Sequence, residues 1–343
     1  MSMLQMSLAG LGIAVLAGVL AQGIWSSRRS APKQAHPDNG KMAEPTLDDT
    51  VPGLEPTPAD NTFVLPPPDR KPALDGLIDV ISQIALDGVV SGDAVLAALP
   101  PTRRVGSKPF AVEGHNAMSG VWEMPVAGQR YDALQAGVQL ANRSGALNDI
   151  EFSEYVLKTQ AFADTLGGTP EFPDMHHEVG RARELDAFAG DHDAQLGFTL
   201  RASRSAWSPG YIQQNAARFG FVPGAIPGRM VLPASAAGVP PILVLGFDTL
   251  AALAEDPDQA AVREVSLHLD VAHVARAENA FGRMREMAQS LAQAMDGVIT
   301  DDNGVALPAE AMEAIERDLQ ALYDTLDGRD LAAGSPQARR LFS

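Results

Sequence analysis

An uncharged, mostly apolar run from Met3 to Trp25 constrains this chain more than any other feature. A helix of that length crosses the roughly 30 Å hydrocarbon core of a bilayer, where only a helix or a closed barrel satisfies its own backbone. No Lys or Arg precedes the run, whereas Arg28, Arg29, Lys33 and Lys41 follow it. Basic residues stay on the cytoplasmic side, so this order predicts an N-terminus outside and the bulk of the chain in the cytoplasm. A cleaved signal peptide needs its basic region before the apolar run. That region is missing, which favours an anchor that is kept.

Beyond Ser26 the composition changes. Ten prolines between Pro32 and Pro72 are separated by Asp, Asn, Glu and Thr, with Phe63, Val64 and Leu65 the one apolar cluster. Such a stretch cannot bury enough surface to offset its ordering entropy, and is expected to be a disordered, extended linker. The whole chain has 45% hydrophobic residues, no cysteine and a formal charge of -17. It can therefore form a real core, and it has neither disulfides nor thiolate chemistry. Its charge argues against nucleic acid as a partner, because phosphate binding needs clustered cations.

From about Leu74 the pattern is that of an α+β protein, with antiparallel sheets and helices packed on one face. Leu77 to Asp87 predicts a strand and Ser91 opens a helix through Leu99. Strands follow at Phe110 to Val112, Val121 to Met124 and Ala133 to Ala141. Asn148 and Asp149 are cap candidates for a long helix to Leu166, and another helix spans Met175 to Ala189. A second series begins with Leu196, Phe198 and Leu200 on a strand. Ser208 and Pro209 start a helix, and strands are predicted at Met230 to Pro233 and Ile242 to Phe247. Val265, Leu267, Leu269 and Val271 alternate with Ser266, His268 and Asp270, marking a strand with one buried face. A helix from Glu278, a short strand at Val298 and Ile299, and a Pro308-started helix complete it.

The two series look alike. Laying Ala136–Gly168 over Val265–Gly297 without gaps pairs Leu140 with Leu269, Phe152 with Phe281, Gln160 with Gln289, Ala163 with Ala292 and Gly168 with Gly297. A tandem pair of modules would share one strand order; unrelated orders would refute it. The resulting division is 1–27 (membrane anchor and flank), 28–73 (linker), 74–192 (first module), 193–331 (second module) and 332–343 (tail).

Catalytic constellations are not found. Gly106-Ser107-Lys108 lacks the spacing of a phosphate loop, since that motif wants Lys before Ser and an earlier Gly where Pro101 stands. His176, His177 and Glu178 are adjacent on a helix and so diverge, and no HExxH or GxSxG occurs. Asp301 to Gly304 matches a calcium loop for four residues only. No enzyme, metal, cofactor or small-molecule substrate is expected.

In layout the chain resembles the ZipA family of cell-division proteins. The anchor, basic flank and Pro-rich stretch carry part of the resemblance. The more specific part is Val265, His268 and Asp270, then Asn279-Ala280-Phe281-Gly282-Arg283-Met284, then Asp296-Gly297-Val298-Ile299-Thr300-Asp301-Asp302. The element order from Gln195 to Asp324 matches that family's FtsZ-binding domain, while residues 74–190 go beyond the usual pattern. The resemblance implies a single-pass protein of the bacterial inner membrane. It would bind the C-terminal tail of FtsZ and tether filaments at the septum. An exported envelope or peptidoglycan-associated binding protein, with a cleaved signal, is the alternative. The family's peptide lies on the sheet face that the helices leave open. Carried over, that face would hold Leu243, Leu245, Phe247 and His268, with Ile226 or Met230 on the strand before. Ile242 to Phe247 is apolar on both faces apart from Gly246, which suits a strand with an uncovered binding face. Burial of that face by residues 74–190 is the competing reading.

Overall fold

The computed structural model describes residues 32–35, 74–301 and 304–343. The apolar run from Met3 to Trp25 lies outside these, as does nearly all of the Pro-rich stretch. Among the described residues no helix is long and apolar enough to cross a membrane.

The chain divides into two units. The leading unit contains β1 (Asp79–Ser91), α1 (Gly92–Ala98), β2 (Arg104–Val105), β3 (Lys108–Asn116), β4 (Trp122–Glu123), β5 (Arg130–Gln139), β6 (Ala141–Asn142), β7 (Gly145–Ala146), α2 (Asp149–Thr165), β8 (Gly168–Glu171) and α3 (Met175–His192). The trailing unit contains β9 (Gln195–Ala202), α4 (Pro209–Arg218), β10 (Val222–Pro223), β11 (Arg229–Leu232), β12 (Leu243–Gly246), α5 (Thr249–Ala252), β13 (Glu264–Asp270), α6 (Ala280–Met295) and β14 (Gly297–Thr300). Helix α7 (Ala309–Asp327) gives its first part to the trailing unit and its last part to the leading one. Helix α8 (Pro336–Leu341) belongs to the leading unit, as do Val271–Ala277.

Local chemistry explains the helix starts. The Asn148 side chain accepts from the backbone of Ile150 and Glu151, and Glu151 reaches back to the Asn148 amide, a reciprocal capping box. Ser208 caps α4 through the Tyr211 amide, with Pro209 beside it. Ser91 caps α1 through the Ala94 amide. Residues 332–343, set apart as a tail, instead contain α8. Ser335 caps it, and Leu341 and Phe342 are buried. Its apolar signal is too short to separate from a tail by periodicity.

Both sheets are antiparallel, and the fold is α+β. The two six-stranded sheets run β2-β3-β5-β1-β8, with β4 also pairing β3, and β10-β11-β12-β13-β9-β14, while β6 and β7 pair with each other. In the leading unit β5 and β8 flank the first strand β1, and in the trailing unit β13 and β14 flank the first strand β9. The ungapped pairing (a shift of 281 − 152 = 129 residues) matches buried position to buried position: Ala136 with Val265, Val138 with Leu267, Leu140 with Leu269, Phe152 with Phe281, Tyr155 with Met284 and Phe162 with Leu291. Gly168 and Gly297 open the equivalent strands β8 and β14. Each long helix lies on one sheet face. The Tyr155 hydroxyl on α2 donates to the Ala136 carbonyl of β5 at 2.9 Å, and Phe281 on α6 meets Phe198 of β9 edge-on at 6.2 Å.

Residues 32–35 lie on the trailing unit. The Lys33 amide donates to Ala206 O at 2.6 Å, and the Ser208 amide donates to Lys33 O at 2.8 Å. Lys33 Nζ and the buried Trp207 indole both donate to Met295 O at 2.9 Å. Part of the stretch expected to be extended linker thus makes a single backbone bridge, Lys33 to Trp207, on a folded unit.

In the leading unit Asp79 is fully buried and accepts a forked pair of hydrogen bonds from Arg340, at 2.5 and 2.9 Å. Burial raises the Asp79 carboxyl above its ordinary range, with Arg340 opposing that rise. Replacing Arg340 by Met leaves a buried carboxylate without its cation, at a cost of about 3–5 kcal/mol. Because the folded-state pKa is then raised further, the loss is greatest at pH above that value. It shrinks as pH falls through that value, where the neutral acid needs no cation. Urea unfolding of the wild type and Arg340→Met at pH 7 and at pH 5 measures both effects.

Candidate functional site

The pleat of the trailing sheet decides which side chains share a face. Register pairs Leu245 with Leu267 and Leu267 with Phe198, and Phe198 meets α6. Leu243, Leu245, Leu267, Leu269 and Met230 are all buried on that side. The opposite face carries the alternate residues. One row across it runs Val231, Val244, His268 and Gly197; the next runs Arg229, Gly246, Ser266, Thr199 and Thr300.

These rows floor a groove of about 640 Å³. Val244, Gly246, Ser266, Thr199 and His268 line it from the strands, Phe247, Asp248 and Thr249 from the end of β12, and Arg229 and Glu264 from the rim. The floor is low because its central residues are small. A Cβ on Gly246 would lie 3.0 Å from Ser266 Oγ, which itself donates to the Gly246 carbonyl at 3.1 Å. The Arg229 end is set by Gly228, whose φ is +78° and whose missing side chain lets the Phe247 carbonyl approach; the Phe247 amide donates to Gly228 O at 2.9 Å. Asp248 is held by accepting from the Leu250 amide at 2.9 Å. Glu264 pairs with Arg201 at 3.3 Å, an exposed contact worth at most about 1 kcal/mol. The surface offers apolar contact, a carboxylate edge, an imidazole, a hydroxyl and one guanidinium.

Of the residues assigned to this face from sequence, the structure brings Phe247 and His268 to the groove. Leu243, Leu245 and Met230 point the other way, beneath α6, and Ile226 sits half exposed in the turn before β11 without lining the groove. Sequence reasoning missed Val244, Gly246, Ser266 and Thr199. Ser266 was legible as the polar alternate of His268. The parity of β12 was not, because an apolar run gives no sign of which face is which until its register with β13 is known.

The other motifs have structural roles. Lys108 is buried and donates to Ser107 Oγ at 2.8 Å and Asn142 Oδ1 at 3.1 Å, with burial lowering its pKa. The Ser107 amide donates to Glu151, so that loop offers a phosphate no free cradle. Glu178 is buried against Arg181 at 2.6 Å, while His177 is exposed. Among the described residues no cluster of His, Cys, Asp or Glu could hold a metal ion.

Leu245→Ala, which empties a core site, is expected to cost about 2–5 kcal/mol in urea unfolding. Val244→Ala, on the uncovered face, should cost less than about 1 kcal/mol. Equal losses would contradict the assignment of faces.

No curated protein matches the chain. Residues 253–318, from the end of α5 through β13, α6 and β14 into α7, match the family model described as ZipA, C-terminal FtsZ-binding domain, which describes a binding domain and not an enzyme. The resemblance to ZipA carried by Val265 to Asp302 is thereby shown over that stretch of the chain.

Proposed function

We propose that the trailing unit binds the C-terminal peptide of FtsZ in its open-face groove, and that the chain anchors division filaments to the bacterial inner membrane. The observation that carries the first part is the coincidence of two things. The matched stretch belongs to an FtsZ-binding family, and the face opposite its long helix is a groove with an apolar, low floor. An extended peptide laid across it would bury one or two apolar side chains against Val244, Gly246 and Phe247. Each such side chain is worth about 1.5–3 kcal/mol. That makes each contact modest, and many anchors along one filament supply the rest through effective concentration.

The membrane part rests on the apolar run and its basic flank. Lys33, bridged to the trailing unit, is 33 − 25 = 8 residues beyond Trp25. At full extension that separation spans about 29 Å. The groove is then held close to the bilayer.

Full-length protein in detergent micelles, titrated against a fluorescent FtsZ C-terminal peptide, tests the groove. Val244→Asp should weaken binding at least ~10-fold with the unfolding midpoint nearly unchanged. Wild-type protein that fails to bind would end this reading. Orientation is tested separately by an alkaline phosphatase fusion at the C-terminus, which is expected to be inactive; an active fusion places the groove on the wrong side of the membrane.

A further inference from the structure

The leading unit repeats the face that forms the groove, and its own chain lies on that copy. The 129-residue shift places Gly137 at the position of Ser266 (137 + 129 = 266), Gln139 at that of His268 and Gln135 at that of Glu264. Register then carries the match to the next strand. Ala111 pairs with Gly137 as Gly246 pairs with Ser266. Glu113, opposite Gln135, takes the place of Asp248, two residues beyond Gly246. On the other side Ile81 pairs with Gly137 as Thr199 pairs with Ser266. The small central floor and the carboxylate at its edge are present in both units.

In the leading unit these positions are filled. Leu74 lies directly over Gly137: a Cβ built there would meet Leu74 Cδ2 at 2.4 Å. The Leu74 amide donates to Glu113 Oε1 at 2.9 Å. Asp75 donates its amide to Asp79 at 2.8 Å and accepts from Gln337 of α8 at 2.8 Å. Gln139, in the place of His268, donates to the Arg340 carbonyl at 2.7 Å. An apolar side chain thus sits over the smallest floor residue, its backbone amide is held by the rim carboxylate, and α8 pins the next residue. The chain then turns back toward β1, with the Ile78 and Asp79 amides donating to the Asp75 carbonyl.

We infer that this face of the leading unit is a second peptide-binding surface, closed in cis by Leu74 and Asp75 under the clasp of α8. Its ligand class is a short segment with one apolar side chain whose own backbone amide meets the neighbouring carboxylate, as Leu74 does with Glu113. For FtsZ stoichiometry this rests on the function proposed above, so the test carries a probe that does not depend on FtsZ. A covalently attached segment has an effective concentration in the millimolar range, enough to exclude a weak competitor.

The test uses full-length protein in detergent micelles, wild type and a Leu74→Gly/Asp75→Gly variant whose thermal unfolding is measured first. The first probe is a labelled synthetic peptide of this chain's own residues 70–80. It is expected to bind the variant at least ~10-fold tighter than wild type, and Ala111→Trp added to the variant, which fills the floor, should remove the gain. The second probe is the FtsZ C-terminal peptide, expected at one per wild-type chain and two per variant chain. Loss of FtsZ binding by wild type would strike the function proposed above while leaving the first probe decisive. Own-peptide binding that is equal in wild type and a folded variant, or insensitive to Ala111→Trp, would overturn the closed-surface inference. So would two FtsZ peptides on wild type. If the variant does not fold, Glu113→Gln replaces it: a milder weakening of the clasp, expected to raise own-peptide binding over wild type, with no rise overturning the inference.

Discussion

One long helix laid on one face of each antiparallel sheet governs the rest of this structure. Phe281 of α6 against Phe198, and Tyr155 of α2 against the β5 backbone, commit every second residue of the strands beneath to the interior. The period of two then assigns the remaining residues to the other face without further choice. The groove arises because the residues left over are Val244, Gly246, Ser266 and Thr199, too small to fill the space above their own backbone.

Much of this was legible from sequence where the signal is local. Caps at Ser91, Asn148 and Ser208 fall where side-chain chemistry puts them, and the alternation from Val265 to Asp270 names its own buried face. The internal pairing of Phe152 with Phe281 and Gly168 with Gly297 was readable because buried positions and helix stops tolerate little change in spacing. What was not legible is nonlocal. The face of β12 depends on its register with β13, so Leu243 and Leu245 were assigned to the uncovered side and lie under α6. Arg340 as the partner of Asp79 lies 261 residues away in the chain, and no spacing rule reaches that far. The clasp of α8 escaped notice for the same reason.

The two sheets show how one scaffold carries two different surfaces. In the trailing unit the small central residues face a groove. In the leading unit Leu74 lies over the small central residue Gly137, and Gln139 meets the Arg340 carbonyl of the C-terminal helix. The central strands pair alike, although β3 is flanked by β2 and β4 where β12 is flanked by β11. The difference in surface lies in segments outside the repeated core, before its first strand and after its last helix.

The bridge at Lys33 has a practical side. Anyone trimming the protein by hydropathy would start after the prolines and strip residues 32–35 from the trailing unit. The Ala206 carbonyl and the Ser208 amide would then lose the backbone that saturates them. Backbone groups left without partners there seek others, including those of a neighbouring molecule. Dimers or precipitates from such a shortened protein would report the missing strap and say nothing about how the intact chain assembles.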